Sequence, residues 1–255
     1  MPTATAEIEL FASIAPLGQA ANNQELVDAL ARETEWYEGA VKYRTPYDIA
    51  TAIFNDELVE FVNDDNIRRL PRFDLEYPGC WPVLALHSVV AAHDYGRLWR
   101  KVLTEEYGID RPELRLAMTS MTRSEDYQNE LVRQGRFASP KSKHMAGVAF
   151  DFDDSGYYVQ QPDGSWVSCT DPGARQDRIN AGESMRQRIS RDGYLEQTFV
   201  GKYADEYDQR IMEAALDAAR ILHDQGLLNV VLEFPGKPYS VLHMAPNPDY
   251  FALTA

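Results

Sequence analysis

Apolar positions follow a helical rhythm in the first part of the chain. Leu84, Val89, Ala92, Leu98 and Val102 recur at near-helical spacing, so Pro82–Tyr107 is predicted as a long helix with Gly108 placed to cap its end. Gln24–Gly39 and Pro46–Val62 read as two further helices, the second with Pro in its first turn. Ile67–Cys80 contains Pro71, Pro78 and Gly79 and reads as an irregular loop. From Leu114 onward the pattern changes. Leu114–Ser120 is a predicted strand, Ser124–Gln134 a short helix, and Ala146–Asp153 a strand with clean alternation. Tyr157–Val167 reads as a hairpin turning at Asp163-Gly164. Glu206–Gln225 is an amphipathic helix stopped by Gly226, and Leu228–Phe234 and Tyr239–Ala245 are strands flanking Pro235-Gly236-Lys237-Pro238. Strands and helices mix without a regular βαβ alternation, so the expected class is α+β rather than a doubly wound sheet. No repeat or linker is visible near Asp110. The expected organisation is an N-terminal helical region, residues 1–110, packed on a second domain, residues 111–255, as one continuous body.

Composition narrows the function. In 255 residues, 25 Lys and Arg stand against 40 Asp and Glu, a net charge of −15, which argues against broad contact with a phosphate backbone and hence against a nucleic-acid partner. The 14 Tyr, 10 Phe and 4 Trp supply ample apolar area for a folded core. No run approaches the roughly 20 apolar residues of a transmembrane helix. Met1–Ala20 carries Glu7 and Glu9 and no basic n-region, so it does not read as a secretory signal; a trimmed mature chain leaves export open. Cys80 and Cys169 lack metal-type spacing and are expected to be two buried thiols, with a single disulfide as the alternative.

The candidate chemistry concentrates in Ser142–Asp153, SKHMAGVAFDFD. On a strand, Val148, Phe150 and Phe152 share one face while Gly147, Ala149, Asp151 and Asp153 share the other. His144 precedes that strand and reaches Asp151 only if the chain bends near Met145-Ala146-Gly147, where Gly147 makes a bend cheap. Imidazole nitrogen and carboxylate oxygen are natural zinc donors, and three protein ligands leave one tetrahedral position for water. His243, on the last apolar strand, is the best third ligand. His87, His93 and His223 fall within helical patterns and are expected to be surface or hydrogen-bonded core histidines.

Ser142, His144, Gly147, Ala149 and Asp151 match the S-x-H-x-x-G-x-A-x-D signature, and the chain from Leu114 to Ala245 thereby resembles the zinc D-alanyl-D-alanine carboxypeptidases and related VanY-like peptidoglycan peptidases, whose metal-site fold is shared with Hedgehog domains. Ser120-Met121-Thr122-Arg123-Ser124 with Gln128 is similar to the family's S-x-x-R-S…Q segment, and His243 falls where the family places its last zinc ligand. The resemblance implies a small antiparallel sheet carrying zinc, flanked by helices. It implies His144, Asp151 and His243 as ligands, Arg123 facing the open coordination position, and Ser142 and Gln128 beside the substrate. The implied reaction is hydrolysis of an amide bond in a cell-wall-type peptide, most simply removal of a terminal D-alanine. Zinc lowers the pKa of bound water to about 7 and polarises the carbonyl. The Arg123 guanidinium is a fitting fixed charge for the oxyanion.

One departure from the family pattern matters. Its members commonly show E-x-W-H, whereas this chain has Ser240-Val241-Leu242-His243, so that Glu and that Trp are absent there. Glu233, ending an apolar strand, is the first candidate for the general base, and Asp153 the second. If Glu233 paired with Tyr239 in a tight hairpin, it would share a face with His243 but stand about 13 Å from it along the strand. A longer loop brings the two closer; a loop with an even number of residues puts them on opposite faces. The missing Glu keeps open a non-catalytic relative that retains the metal for stability or ligand binding, and coincidental placement of His144 and Asp151 in a purely structural protein is the third alternative. Wall peptides imply the cell envelope, although a cytoplasmic recycling enzyme is also compatible.

Overall fold

The computed structural model describes residues 14–15, 23–70, 80–133, 141–174, 206–233 and 240–254. Its centre is β8 (Phe150–Gln160), flanked by β6 (Leu114–Ser120) and β11 (Val241–Pro246), both antiparallel to it. β10 (Leu228–Glu233) continues the sheet beyond β11, and β1 (Ile14–Ala15) closes that edge. At the other edge β3 (Ile67–Arg69) runs parallel to β6, while β9 (Trp166–Thr170) folds back on the second half of β8. Two small ribbons, β2 (Val59–Glu60) with β5 (Val83–Leu84) and β4 (Cys80–Trp81) with β7 (Thr122–Arg123), lie outside this sheet. The class is α+β with mainly antiparallel pairing, as expected; the parallel β3–β6 pair is an addition the sequence pattern did not reveal.

One face of the sheet is covered by α3 (Leu86–Glu105) and α5 (Gln209–Asp224). Phe150 and Phe152 point into this layer and are fully buried, each worth about 1.5–3 kcal/mol of apolar burial. The Tyr95 ring lies 5.0 Å from that of Phe152, and its hydroxyl donates to the Ala215 carbonyl at 3.1 Å. Trp99 Nε1 donates to Ile211 O at 3.2 Å, so the two largest side chains of α3 are fastened to α5 by their polar ends. Along α5, Ile211, Ala214, Ala215, Ala218 and Leu222 form the buried stripe expected from the helical period. The other face receives α1 (Asn23–Trp36) near β10 and β11. α2 (Pro46–Phe54), α4 (Glu125–Arg133) and α6 (Tyr250–Thr254) complete the described helices. No described helix is long and apolar enough to cross a membrane.

Several boundaries differ from the sequence pattern. The helix expected over Pro46–Val62 begins with a capping box, in which Thr45 and Asp48 satisfy each other's orphan groups, but ends at Phe54. Asp56 then adopts a left-handed φ of 59°, and the chain turns into β2. The long helix starts at Leu86 rather than Pro82, because Val83 and Leu84 pair with β2. The strand expected from Ala146 starts at Phe150; residues Lys143–Ala146 instead form a 3₁₀ turn ended by Gly147 at φ 70°. Val148 therefore leaves the Phe150 face and packs with Tyr37, Ala146, Ala149 and Ala245. The Asp163-Gly164 hairpin forms as expected, between Gln160 and its partner Trp166. Cys80 and Cys169 are both free and buried, the first of the two expected states. Of the expected loop Ile67–Cys80, residues 71–79 lie outside the described residues, as does the Pro235–Pro238 segment.

Candidate metal centre

The sheet register brings the candidate ligands together. Ser120, Asp151, His243 and Val231 are successive partners across β6, β8, β11 and β10, so their side chains form one row on the face opposite Phe152. Asp151 and His243 stand directly across from each other, and Asp151 Oδ1 lies 2.9 Å from His243 Nδ1. His144 arrives from outside the sheet. The 3₁₀ turn lifts it over the strand end, and His144 Nε2 comes within 3.0 Å of the same Oδ1. Gly147 permits this route for two reasons. Its φ of 70° suits a residue without Cβ, and a Cβ there would lie 2.4 Å from Leu58 Cδ2. The bend anticipated at Met145-Ala146-Gly147 thus exists. His144, Asp151 and His243 are all buried, and one donor atom from each lies within 4.8 Å of the others.

The partners of the outer ring nitrogens fix which nitrogen faces the centre. Met121 O, which can only accept, lies 2.8 Å from His144 Nδ1, so that nitrogen carries the proton. In the neutral ring with that tautomer, Nε2 carries the lone pair; burial lowers the His144 pKa, with Asp151 opposing it. That lone pair faces Asp151 Oδ1 at 3.0 Å. Two electron pairs 3.0 Å apart repel, and a cation seated between them removes the conflict. The donor set, two imidazole nitrogens and one carboxylate oxygen, suits zinc chemistry. His144, Asp151 and His243 can therefore hold a metal ion, and the residues present fit one.

Arg123, at the end of β7, approaches from the β6 side. Its Nη2 donates to Ser120 Oγ at 2.6 Å and to Asp151 Oδ2 at 3.3 Å, while Nη1 donates to Gln128 Oε1 at 3.3 Å. Gln128 is fully buried in α4 and so orients the guanidinium rather than facing bulk water. Ser142 is the residue before the 3₁₀ turn; its carbonyl accepts from Met145 N at 3.3 Å, and its side chain makes no capping bond.

Glu233 pairs with Val241, two residues along β11 from His243. It shares the face of His243, and diagonal neighbours of this kind are about 7–8 Å apart, nearer than the tight-hairpin alternative allowed. Burial, then the negative charges of Asp151 and Glu33, pushes Glu233 up to about 7 against the opposing pull of His243 and Arg123. Asp153 sits in the same cross-strand row as Val241, but its Oδ1 accepts from the Ser155 backbone and hydroxyl at 3.0 Å each, which shapes the irregular middle of β8. At the position where the sequence resemblance calls for a Glu, Ser240 Oγ lies 2.6 Å from Asp154 Oδ2 and 3.1 Å from Glu233 O.

A fourth buried group joins the cluster from α1. Glu33 Oε2 lies 3.1 Å from His243 Nε2, so His243 is shared between two carboxylates. Those contacts, together with the charges of Glu33 and Glu233, raise the His243 pKa well above its usual value although burial opposes it. The attraction of His243 in turn holds Glu33 below its usual range against burial. Sequence pattern alone missed Glu33, since a glutamate in an amphipathic helix counts as part of the solvated face. The one available signal was its spacing of four from Ala29 and Tyr37. The remaining histidines follow the expectation: His93 Nδ1 lies 2.6 Å from Asp64 Oδ2, His87 Nε2 lies 3.1 Å from Tyr37 Oη, and His223 Nδ1 accepts from Val230 N at 3.1 Å.

Comparison with protein-family models, with curated proteins and with solved structures finds no match.

Proposed function

We propose that this protein is a zinc-dependent metallopeptidase acting on small peptides of cell-wall type, most simply a D-alanyl-D-alanine carboxypeptidase on the VanY/Hedgehog pattern. The observation that carries the reading is that His144 Nε2 and His243 Nδ1 lie 3.0 and 2.9 Å from the same Asp151 Oδ1, with one donor atom from each residue within 4.8 Å of the others. These three atoms are the proposed ligands. When bound, zinc supplies a Lewis acid and an activated water near neutral pH.

The other roles follow from position and charge. Arg123, held by Ser120 and Gln128, keeps a fixed positive charge beside Asp151, suited to an oxyanion or a substrate carboxylate. Glu233 is the proposed general base: it takes a proton from the attacking water and returns it to the leaving amine nitrogen, and its elevated pKa suits both halves of that task. Ser142, two residues ahead of His144, completes the proposed substrate-binding group with Arg123, while Gln128, expected beside the substrate, is fully buried and serves the group through the guanidinium it orients.

A peptide ending in D-Ala-D-Ala tests this directly. Release of D-alanine by the wild type, its loss with a chelator, its return with zinc, and its absence in His144→Ala are the expected results. Turnover that a chelator leaves untouched would overturn the reading. Ser240, tied to Asp154 where the family carries its Glu, favours one second reading, a metal-binding relative without peptidase activity. Stoichiometric zinc without release of D-alanine would select it.

A further inference from the structure

Glu33 lies far outside the stretch Leu114–Ala245 that carries the family resemblance, yet it touches the ring of His243. We propose that Glu33 is a positioning residue of the metal centre, fixing the tautomer and orientation of His243 and making the N-terminal helix α1 a working part of the site. This inference rests on the zinc reading given above.

Three observations carry it. First, Ala29, Glu33 and Tyr37 are all buried at a spacing of four, the stripe by which α1 and the turn after it dock. A helix docking by apolar contact alone has no use for a carboxylate in that stripe, and a buried carboxylate is costly unless a donor meets it. Second, the docking register is fixed on both sides of Glu33. Asn229 Nδ2 donates to Ala29 O at 2.9 Å, and Tyr37 Oη donates to Pro246 O at 2.5 Å. Asn229 Nδ2 also lies 3.4 Å from Glu33 Oε2, so the carboxylate is steered as well as placed. These anchors come from β10 and from the end of β11, the strand that carries His243.

Third, the geometry at the ring separates this role from direct ligation. His243 turns Nδ1 toward Asp151 and Nε2 toward Glu33, on opposite sides of the imidazole. A proton on Nε2 shared with Glu33 leaves the Nδ1 lone pair for an ion. A carboxylate behind a ligating histidine orients the ring and raises its basicity, and removing such a partner commonly weakens metal affinity about 10–100-fold.

The test is zinc affinity, measured by competition with a chromophoric chelator, for wild type, Glu33→Gln and Glu33→Ala, with the absorption spectrum of the Co²⁺-loaded proteins as a second readout. Glu33→Gln keeps an acceptor oxygen but loses the charge and is expected to bind zinc about 10-fold more weakly; Glu33→Ala is expected to lose about 100-fold. The Co²⁺ bands should shift in both while far-UV circular dichroism stays that of the wild type. A side chain that merely anchors α1 would lower thermal stability and leave affinity and spectrum unmoved. Wild-type affinity and an unshifted Co²⁺ spectrum in the variants overturn the role of Glu33 and leave the zinc reading standing. A wild type that binds no zinc overturns both. If Glu33→Ala does not fold, Glu33→Gln alone decides.

Discussion

His243 stands directly across the strand pair from Asp151, and the 2.9 Å between its Nδ1 and the carboxylate is a consequence of sheet register alone. A slip of one residue in β11 would send His243 to the opposite face, among Phe150 and Phe152, and the site would vanish. The hydrophobic face of the sheet therefore enforces the polar one. Leu242 and Met244, fully buried, lock the parity that aims His243 at Asp151.

Because the ligands come from a 3₁₀ turn and two strands, an ion bound to them binds the native state and not the unfolded chain. Zinc at about 100 times its dissociation constant is expected to add about 2.7 kcal/mol of stability. Thermal unfolding with and without a chelator reads this directly. In Asp151→Asn the zinc-dependent increment should disappear, since the carboxylate that joins the two imidazoles is gone.

Gly147→Ala places a Cβ against Leu58 and forces a side chain into a φ of 70°. A destabilisation of about 1–3 kcal/mol is expected, from strain at the left-handed residue and displacement of Leu58. The midpoint of denaturant unfolding measures it. Zinc affinity should fall in the same variant, because the 3₁₀ turn that delivers His144 ends at this residue.

Much of this could be read before any coordinates, and the exceptions have physical causes. The apolar pattern located Leu114–Ser120 to the residue, and alternation along Ala146–Asp153 put Asp151 and Phe152 on opposite faces, because successive side chains of a strand alternate. The cluster His144, Asp151 and His243 emerged from residue chemistry and motif spacing. The start of β8 did not, since apolar Val148 continues the pattern of Phe150 while the backbone leaves the sheet at Gly147. The early end of α2 was hidden likewise: the apolar spacing runs on past Phe54, and only the left-handed Asp56 breaks it. Glu33 was illegible for a third reason. Its spacing of four from Ala29 and Tyr37 marks the buried stripe, but its role depends on which strand that stripe docks over, a tertiary fact.

If Glu233 is the general base, only its ionised form accepts the proton, so activity is present above its pKa and is lost as pH falls through it. Its value of about 7 sets the upper limit for the acid limb of the rate profile, and the charge of a bound zinc ion moves that limb lower. In Glu233→Gln the limb should be absent and turnover reduced by about 10²–10⁴-fold. A Gln variant with full turnover would remove Glu233 from the mechanism.

Arg123→Lys separates charge from geometry. The guanidinium reaches Ser120, Asp151 and Gln128 at once, which a single ammonium cannot do. On the proposed peptidase reading, turnover is expected to fall by about 10²–10³-fold while zinc content stays that of the wild type, because that reading gives Arg123 a transition-state contact and no part in ligation. Steady-state kinetics beside elemental analysis distinguishes the two effects.

The most direct test of the central claim is an anomalous difference map at the zinc edge from a crystal of the wild-type protein grown with zinc. The expected result is one strong peak at about 2.0–2.2 Å from His144 Nε2, Asp151 Oδ1 and His243 Nδ1 together. A map without a peak among these three atoms, in crystals that contain zinc, would contradict the account.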